Sequence, residues 1–304
     1  MHHIVSVSLG TSKRDKRSEV EILGERFLLE RIGVDGDLKR YAEMFRELDG
    51  KVDVLGVGGA DMYVMVGEKR YAWQQIVRIT KSVKQTPVVD GSGLKHTLER
   101  ETVRRLQADG TVDFRHSRTL LVSGVDRFGM AQSLVECGGP VVYGDLMFGM
   151  GLPIPLRNYA TVRRLGSILL PILSRLPQTW FYPTGEKQEK RTPKFAKAFE
   201  EADIICGDWH FIGRYLPDRI DGKTILTQTL RKADLAMLRE MGAARAITTT
   251  PAIDGESFPT NVMEGVIVAL LRTRPEQIRP EQYLETLRNL DWKPNVFSLN
   301  SPAI

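Results

Sequence analysis

The chain has 304 residues, 42% of them hydrophobic, which is enough for one large α/β domain or two smaller ones. Its 43 Lys plus Arg against 38 Asp plus Glu give a net charge of +5, spread thinly among residues of opposite sign. That pattern argues against a nucleic-acid binder, which concentrates positive charge in a tail or stripe. The two cysteines, Cys137 and Cys206, close apolar runs and read as small buried hydrophobes of a reducing compartment.

"MHHIVSVSLG" begins directly on a strand-like run, which predicts no signal peptide. The most apolar segment, Leu165 to Pro177, is too short for a bilayer and contains Pro171. A cytoplasmic protein with neither membrane nor nucleic-acid partner is expected. Residues 1–115 then read as an N-terminal α/β domain. "HIVSVSLG", "RFLLERIG", "VDVLGVGG" and "TPVVDGSG" are its strands. "DGDLKRYAEMFRELDG", "YAWQQIVRITKSVKQ" and "LKHTLERETVRRLQADG" are its helices.

Residues 116–270 read as a Rossmann-like nucleotide-binding domain, interrupted by an insertion over 147–197. "TLLVSG", "PVVYGD", "ADIICGD", "KTILTQT" and "ARAITTTP" lack polar alternation, as strands of a covered parallel sheet do. The helix "NVMEGVIVALLRT" has Asn261 and Glu264 at capping-box spacing. The tail, 271–304, predicts one helix around Glu281 to Leu290, with Trp292 and Phe297 packing back across the domain junction.

A dinucleotide fingerprint needs three glycines, each for a separate steric reason. Gly124-Val125-Asp126-Arg127-Phe128-Gly129 keeps the first and third, with Asp126 in place of the second. Gly124 turns the chain, Gly129 permits close helix–sheet packing, and the amides between them could face a pyrophosphate. Asp126 would repel that charge unless turned away or paired with Arg127. Asp145, about twenty residues on, stands where a carboxylate would accept a ribose hydroxyl, favouring NAD over NADP. An ordinary doubly wound turn, with Asp145 capping a loop, accounts for the same residues.

Polar residues gather after other strands. Asp90, Ser92, Lys95 and His96 follow "VV", and Lys95 could bind an anion or donate a proton, held by Asp90 or Asp61. Exposed first-turn positions of a surface helix are the bland reading of Lys95 and His96. Asp208 and His210 in "CGDWHF" could exchange a proton with a hydroxyl; a cap, an aromatic contact or an anion contact are the other roles open to His210. Thr248 and Thr249 could contact a cofactor or cap backbone, and Asn261 could contact substrate. Phe181 to Phe195, with Lys187, reads as a basic anion-binding lid or as a solvated linker. No metal motif such as HExxH or paired cysteines occurs in the sequence, although aspartates could hold magnesium for group transfer.

The blocks "VSVSLGTSKRDKRSEVEILGE", "QTPVVDGSGLKHTLER", "GVDRFGMAQSL", "YPTGEKQEK" and "TNVMEG" resemble a bacterial group labelled quinate 5-dehydrogenase, or Rossmann-like predicted dehydrogenase. The resemblance implies a cytoplasmic NAD(P)-linked oxidoreductase acting on a hydroxylated cyclic acid. The lysine-bearing N-terminal motif and regular glycine fingerprint of better-understood quinate and shikimate dehydrogenases are missing. Lys95 with Asp90 or Asp126 would have to replace their catalytic pair. The expectation is therefore an NAD- or NADP-dependent dehydrogenase of a small acid or polyol, with homo-oligomerisation left open. A non-redox nucleotide- or small-acid-binding protein on the same scaffold is the alternative.

Overall fold

The computed structural model describes residues 1–67, 69–177, 191–250, 252–253 and 256–300. Two α/β sheets organise the chain. The first is built from β1 (His2–Ser8), β2 (Lys16–Ile22), β3 (Glu25–Gly33), then α1 (Leu38–Leu48) and β4 (Val54–Gly58). A side hairpin of β5 (Tyr63–Val66) and β6 (Lys69–Ala72) leads to α2 (Gln74–Thr80), β7 (Val88–Val89) and α3 (Ser92–Ala108). The strand order is β2-β3-β1-β4-β7, all parallel except β2. The expected "YAWQQ…" helix is shorter than its pattern because Lys69–Ala72 pairs as β6.

The second sheet comprises β8 (Thr119–Leu121), α4 (Phe128–Cys137), β9 (Val141–Tyr143), α5 (Tyr159–Leu173), α6 (Ala196–Glu201) and β10 (Ile204–Cys206). It continues with α7 (Trp209–Tyr215), β11 (Thr224–Thr227), α8 (Lys232–Glu240) and β12 (Arg245–Thr248). A short hairpin, β13 (Ala252–Ile253) and β14 (Glu256–Ser257), precedes α9 (Thr260–Leu271), α10 (Pro280–Asn289) and β15 (Asn295–Ser298). The order is β15-β12-β11-β10-β8-β9, parallel except for the added edge strand β15. Leaving β15 aside, this is a doubly wound sheet whose order reverses between β8 and β10. The first sheet reverses likewise between β1 and β4. The Rossmann-like, bilobal α/β architecture expected from the apolar runs is present.

Three expectations need correction. First, α9 packs on β1 and β4 of the first sheet, whereas its sequence position suggested the second. Val262, Met263, Val266 and Ile267 share a core with Ile4, Phe27 and Val54. Gly265 lets the helix lie close, since a Cβ there would meet Ile4 Cγ2 at 2.6 Å. Second, Asn261 and Glu264 form no capping box. The N-cap is Pro259, and the Asn261 amide donates to Ser6 Oγ at 2.7 Å and the Val57 carbonyl at 3.0 Å. Third, the tail supplies a strand as well as a helix. Phe297 on β15 lies against the second core, while Trp292 is buried in the first and donates to the Thr249 carbonyl at 3.0 Å.

Cys206 is buried, Cys137 is half-buried, and both are free thiols. Among the described residues no helix is long and apolar enough to cross a membrane.

Gly129 serves a different contact from the expected one. A Cβ there would run into the His96 carbonyl of α3, so this glycine permits close packing of α4 on α3 rather than on the sheet. Gly129→Ala should therefore cost about 1–3 kcal/mol, as overpacked sites do. Gly149→Ala, with open space around the new methyl, should stay within about 0.5 kcal/mol of the parent. Urea unfolding of the two variants compares them; equal stabilities would contradict this packing.

Candidate functional site

Strands that stop at one edge bring their following loops together, and the carboxyl edges of both sheets open on one cleft of 640 Å³. From the first sheet come Ser6 and Ser8 of β1, Gly58 to Asp61 after β4, and Asp90 after β7. From the second come Arg127 after β8, Asp208 to His210 after β10, and Gln228 after β11. Lys13, Arg14, Lys16, Arg31, Arg231 and Lys232 also line it, giving the cleft a basic character.

A buried charge network forms the cleft floor. Arg127 is 4% exposed and is ion-paired to three carboxylates: Glu99, Asp208, and Asp126 at 3.1 Å. Lys95 is 6% exposed, with its ammonium 2.9 Å from Asp126 and 3.8 Å from Asp61. The bland reading of Lys95 as an exposed residue is thus corrected. Burial works against the Lys95 ammonium, yet Asp126, Asp61 and Glu99 hold it protonated above its ordinary range. Burial opposes the Arg127 charge too, and Glu99, Asp126 and Asp208 outweigh it.

Two cations face four carboxylates here, and a low-dielectric site resists the excess. The cost falls on Asp61 and Glu99. Burial raises Asp61 above the usual carboxylate range, with Lys95 pulling against it and Asp126 adding to it. Glu99 is raised by burial against the pull of Arg127. Asp126 runs the other way: burial is outweighed by Lys95 and Arg127, which keep it ionised. The floor therefore holds two firm cations, a firm anion and, in Asp61, a carboxyl pushed toward its neutral form.

Asp208 and His210 do not form the expected carboxylate–imidazole pair. Asp208 caps α7 by accepting from the His210 backbone amide at 2.7 Å. Its other oxygen takes Arg127 and the Gln228 amide, the latter at 3.0 Å. The His210 ring lines the cleft, and burial disfavours its charged form. Asp90 is likewise engaged by backbone, accepting from Met62, Tyr63 and Ser92 amides at 2.8, 3.1 and 3.0 Å. It shapes the cleft wall, and the Lys95 ammonium pairs instead with Asp126 and Asp61. Ser92 faces a different groove.

The glycine turn is occupied by its own chain. Asp145 accepts from the amides of Gly124 at 3.0 Å and Val125 at 2.8 Å. A Cβ on Gly124 would lie 2.9 Å from the Tyr143 ring. The amides expected to meet a pyrophosphate are thus held by the carboxylate expected to meet the ribose. Thr248 and Thr249 are buried against the tail: Thr248 Oγ1 accepts from Asn295 at 2.9 Å, and the Thr249 carbonyl accepts from Trp292. Neither lines the cleft. Lys187 and most of the Phe181 to Phe195 segment lie outside the described residues. Among the described residues no group of three or more His, Cys, Asp or Glu is placed to hold a metal ion.

Glu99, Gln228, Ser6 and Ser8 were not singled out by motif. Glu99 had a local signal, standing one helical turn after Lys95 on α3. The others follow only from knowing which strand ends meet.

Residues 93–299 match a family model described as Domain of unknown function (DUF8754), and residues 3–90 match one described as Domain of unknown function (DUF8753). The first covers more than half of the sequence, so the chain belongs to the DUF8754 family. No curated protein matches it. Among solved structures, it is similar to a leucine-bound glutamate dehydrogenase from Thermus thermophilus, at 15% identity and TM-score 0.42, over 95% of this chain and 74% of that one. It is also similar to a glucose-galactose binding protein from Geobacillus stearothermophilus, at 10% identity and TM-score 0.40, over 100% and 99% of the two chains. L-tryptophan dehydrogenase from Nostoc punctiforme aligns at 13% identity and TM-score 0.34, over 88% and 67%.

Burial pushes the Asp145 carboxyl up to about 6, although the Val125 and Gly124 amides favour its charge. A raised carboxyl contributes stability that is full below its unfolded value and is lost as pH rises through the folded one. Asp145→Asn removes that contribution. Its cost should therefore be larger near about pH 5 than near about pH 7, by about 1 kcal/mol. Urea unfolding of both proteins across this range tests it; a pH-independent difference would contradict the assignment.

Proposed function

We propose that this member of the DUF8754 family binds a small hydroxylated acid in the cleft between its two sheets. Lys95 faces a hydroxyl or carbonyl of that ligand, and the basic lining meets its carboxylate. The observation that carries this reading is the Lys95 ammonium, held at the cleft floor between Asp126 and Asp61. A desolvated cation acts more strongly on a polarised oxygen than one in water. Asp61, raised above the ordinary carboxylate range, can take up or release a proton beside it. Ser6 and Ser8 add hydroxyls on the facing wall.

Binding with proton transfer at one oxygen is what these residues support. Oxidation of a quinate-like hydroxy acid by NAD or NADP is the second reading, favoured by the same Lys95–Asp126 pair, which replaces the missing motif. The glycine turn does not fit the dinucleotide such a reaction uses, because Asp145 holds the Gly124 and Val125 amides. Residues Gly124, Asp126, Arg127, Gly129, Thr248 and Thr249 are each engaged in packing or internal pairing. We therefore place the small acid ahead of the cofactor.

A thermal-shift screen separates the readings. Cyclic and linear hydroxy acids should stabilise the protein, and neutral polyols of the same size should do so less. Lys95→Met should weaken acid binding about tenfold or more, the loss of a charge-assisted hydrogen bond. Stabilisation by NAD or NADP and by no acid would move the assignment to the redox reading. Equal response to acids and polyols, unchanged in Lys95→Met, would remove Lys95 from the site.

A further inference from the structure

A second groove, of 1380 Å³, lies beside the central cleft, with α3, α4 and α5 contributing to its wall. Each of the three helices places a pair of residues one turn apart in it: His96 and Arg100, Phe128 and Gln132, Tyr159 and Arg163. The pairs interlock. Arg100 donates to the Gln132 side-chain oxygen at 2.8 Å. The Phe128 ring stands between the other two, its centroid 6.2 Å from His96 and 6.2 Å from Tyr159.

What this packing leaves over is specific. Among the described residues, His96 Nδ1, Arg100 Nε and the Tyr159 hydroxyl are buried atoms with no hydrogen-bond partner. A buried donor or acceptor left unmet costs its full desolvation unless something meets it. Two of the three are obligate or ready donors, and the neutral imidazole nitrogen can be one as well. Arg100 and Arg163 bring two positive charges, and among the described residues neither has a carboxylate within ion-pair distance. Unpartnered donors, two guanidinium groups and an aromatic wall lining one groove match one ligand chemistry.

We propose that this groove is a second binding site, distinct from the central cleft, for a small oxyanion: a carboxylate or a phosphate. Arg100 Nε and the Tyr159 hydroxyl donate to its oxygens, Arg163 balances its charge, and Phe128 covers its apolar side. Burial, followed by the charge of Lys95, keeps His96 neutral, its pKa down at about 3, so the ring adds no competing charge of its own. The site is carried by helices rather than loops, and α3 presents Lys95 to the cleft and His96 to the groove.

Two probes distinguish the sources of the oxyanion: benzoate for a carboxylate with a ring, and inorganic phosphate. Each is titrated into the full chain by calorimetry, with ring resonances of His96 and Tyr159 followed by NMR. Saturable binding of at least one, with shifts at both rings, is expected. Arg100→Met should weaken it about tenfold or more, and the milder Tyr159→Phe about threefold. Preference for benzoate assigns a carboxylate, and preference for phosphate assigns a phosphate. Absence of saturable binding by either probe overturns the proposal. So does binding that shifts His210 instead of His96 and is unchanged in both variants; that result would assign the anion to the central cleft and leave the reading of the cleft intact.

Discussion

One guanidinium anchors the floor of the cleft between the two sheets. Arg127 leaves water to sit among Glu99 of α3, Asp126 of its own loop and Asp208 at the end of β10. A buried charge is tolerable only when fully paired, and removing one partner of such a set typically costs about 3–5 kcal/mol. The loops after β8 and β10, which flank the strand-order reversal of the second sheet, are thereby tied together. Lys95 then ties them to α3 and to the loop after β4. The pairing of these ions fixes the positions of those loops and with them the shape of the cleft floor.

The same requirement explains why the glycine turn differs from a dinucleotide site. A bound pyrophosphate would face Asp126, a firm anion whose position is fixed by Lys95 and Arg127. Asp145 takes the amides of Gly124 and Val125 for itself. The scaffold thus keeps the topology of a nucleotide-binding sheet while its ligand edge is organised around side-chain charges from both lobes. Fold and site chemistry have separated, as they do on many widely used scaffolds.

The sheets were legible in the sequence because covered parallel strands are short apolar runs, and β1, β4, β8, β10, β11 and β12 all read that way. Strand β2 was not, because Lys16–Ile22 is a largely polar edge strand and its pattern looks like a charged loop. Lys95, Asp61, Asp208 and His210 were found because polar residues after strands gather at one edge. The pairings of Lys95 with Asp61 and Asp126, and of Asp126 with Arg127, were among those the sequence offered, whereas that of Arg127 with Glu99 joins distant positions and leaves no periodic trace. Asn261 and Glu264 misled for a related reason. Capping-box spacing is a local signal, whereas both side chains reach across the molecule, Asn261 to Ser6 and Glu264 to the Gly91 amide and the Tyr283 hydroxyl.

The placement of α9 and α10 carries a consequence for how the molecule is made. The sheet of the first lobe is complete in sequence by Val89, but the apolar face bearing Ile4, Phe27 and Val54 is covered by residues from Phe258 to Trp292. The Asn261–Ser6 bond joins positions 255 residues apart. A nascent chain must therefore carry this face covered only in part, by Leu94 and Leu98 of α3, while β8 to β12 are made, and closing that core waits on the slow, long-range step that high contact order imposes. Synthesis of α9 and α10, rather than of the first lobe itself, sets the moment at which that hydrophobic surface leaves water.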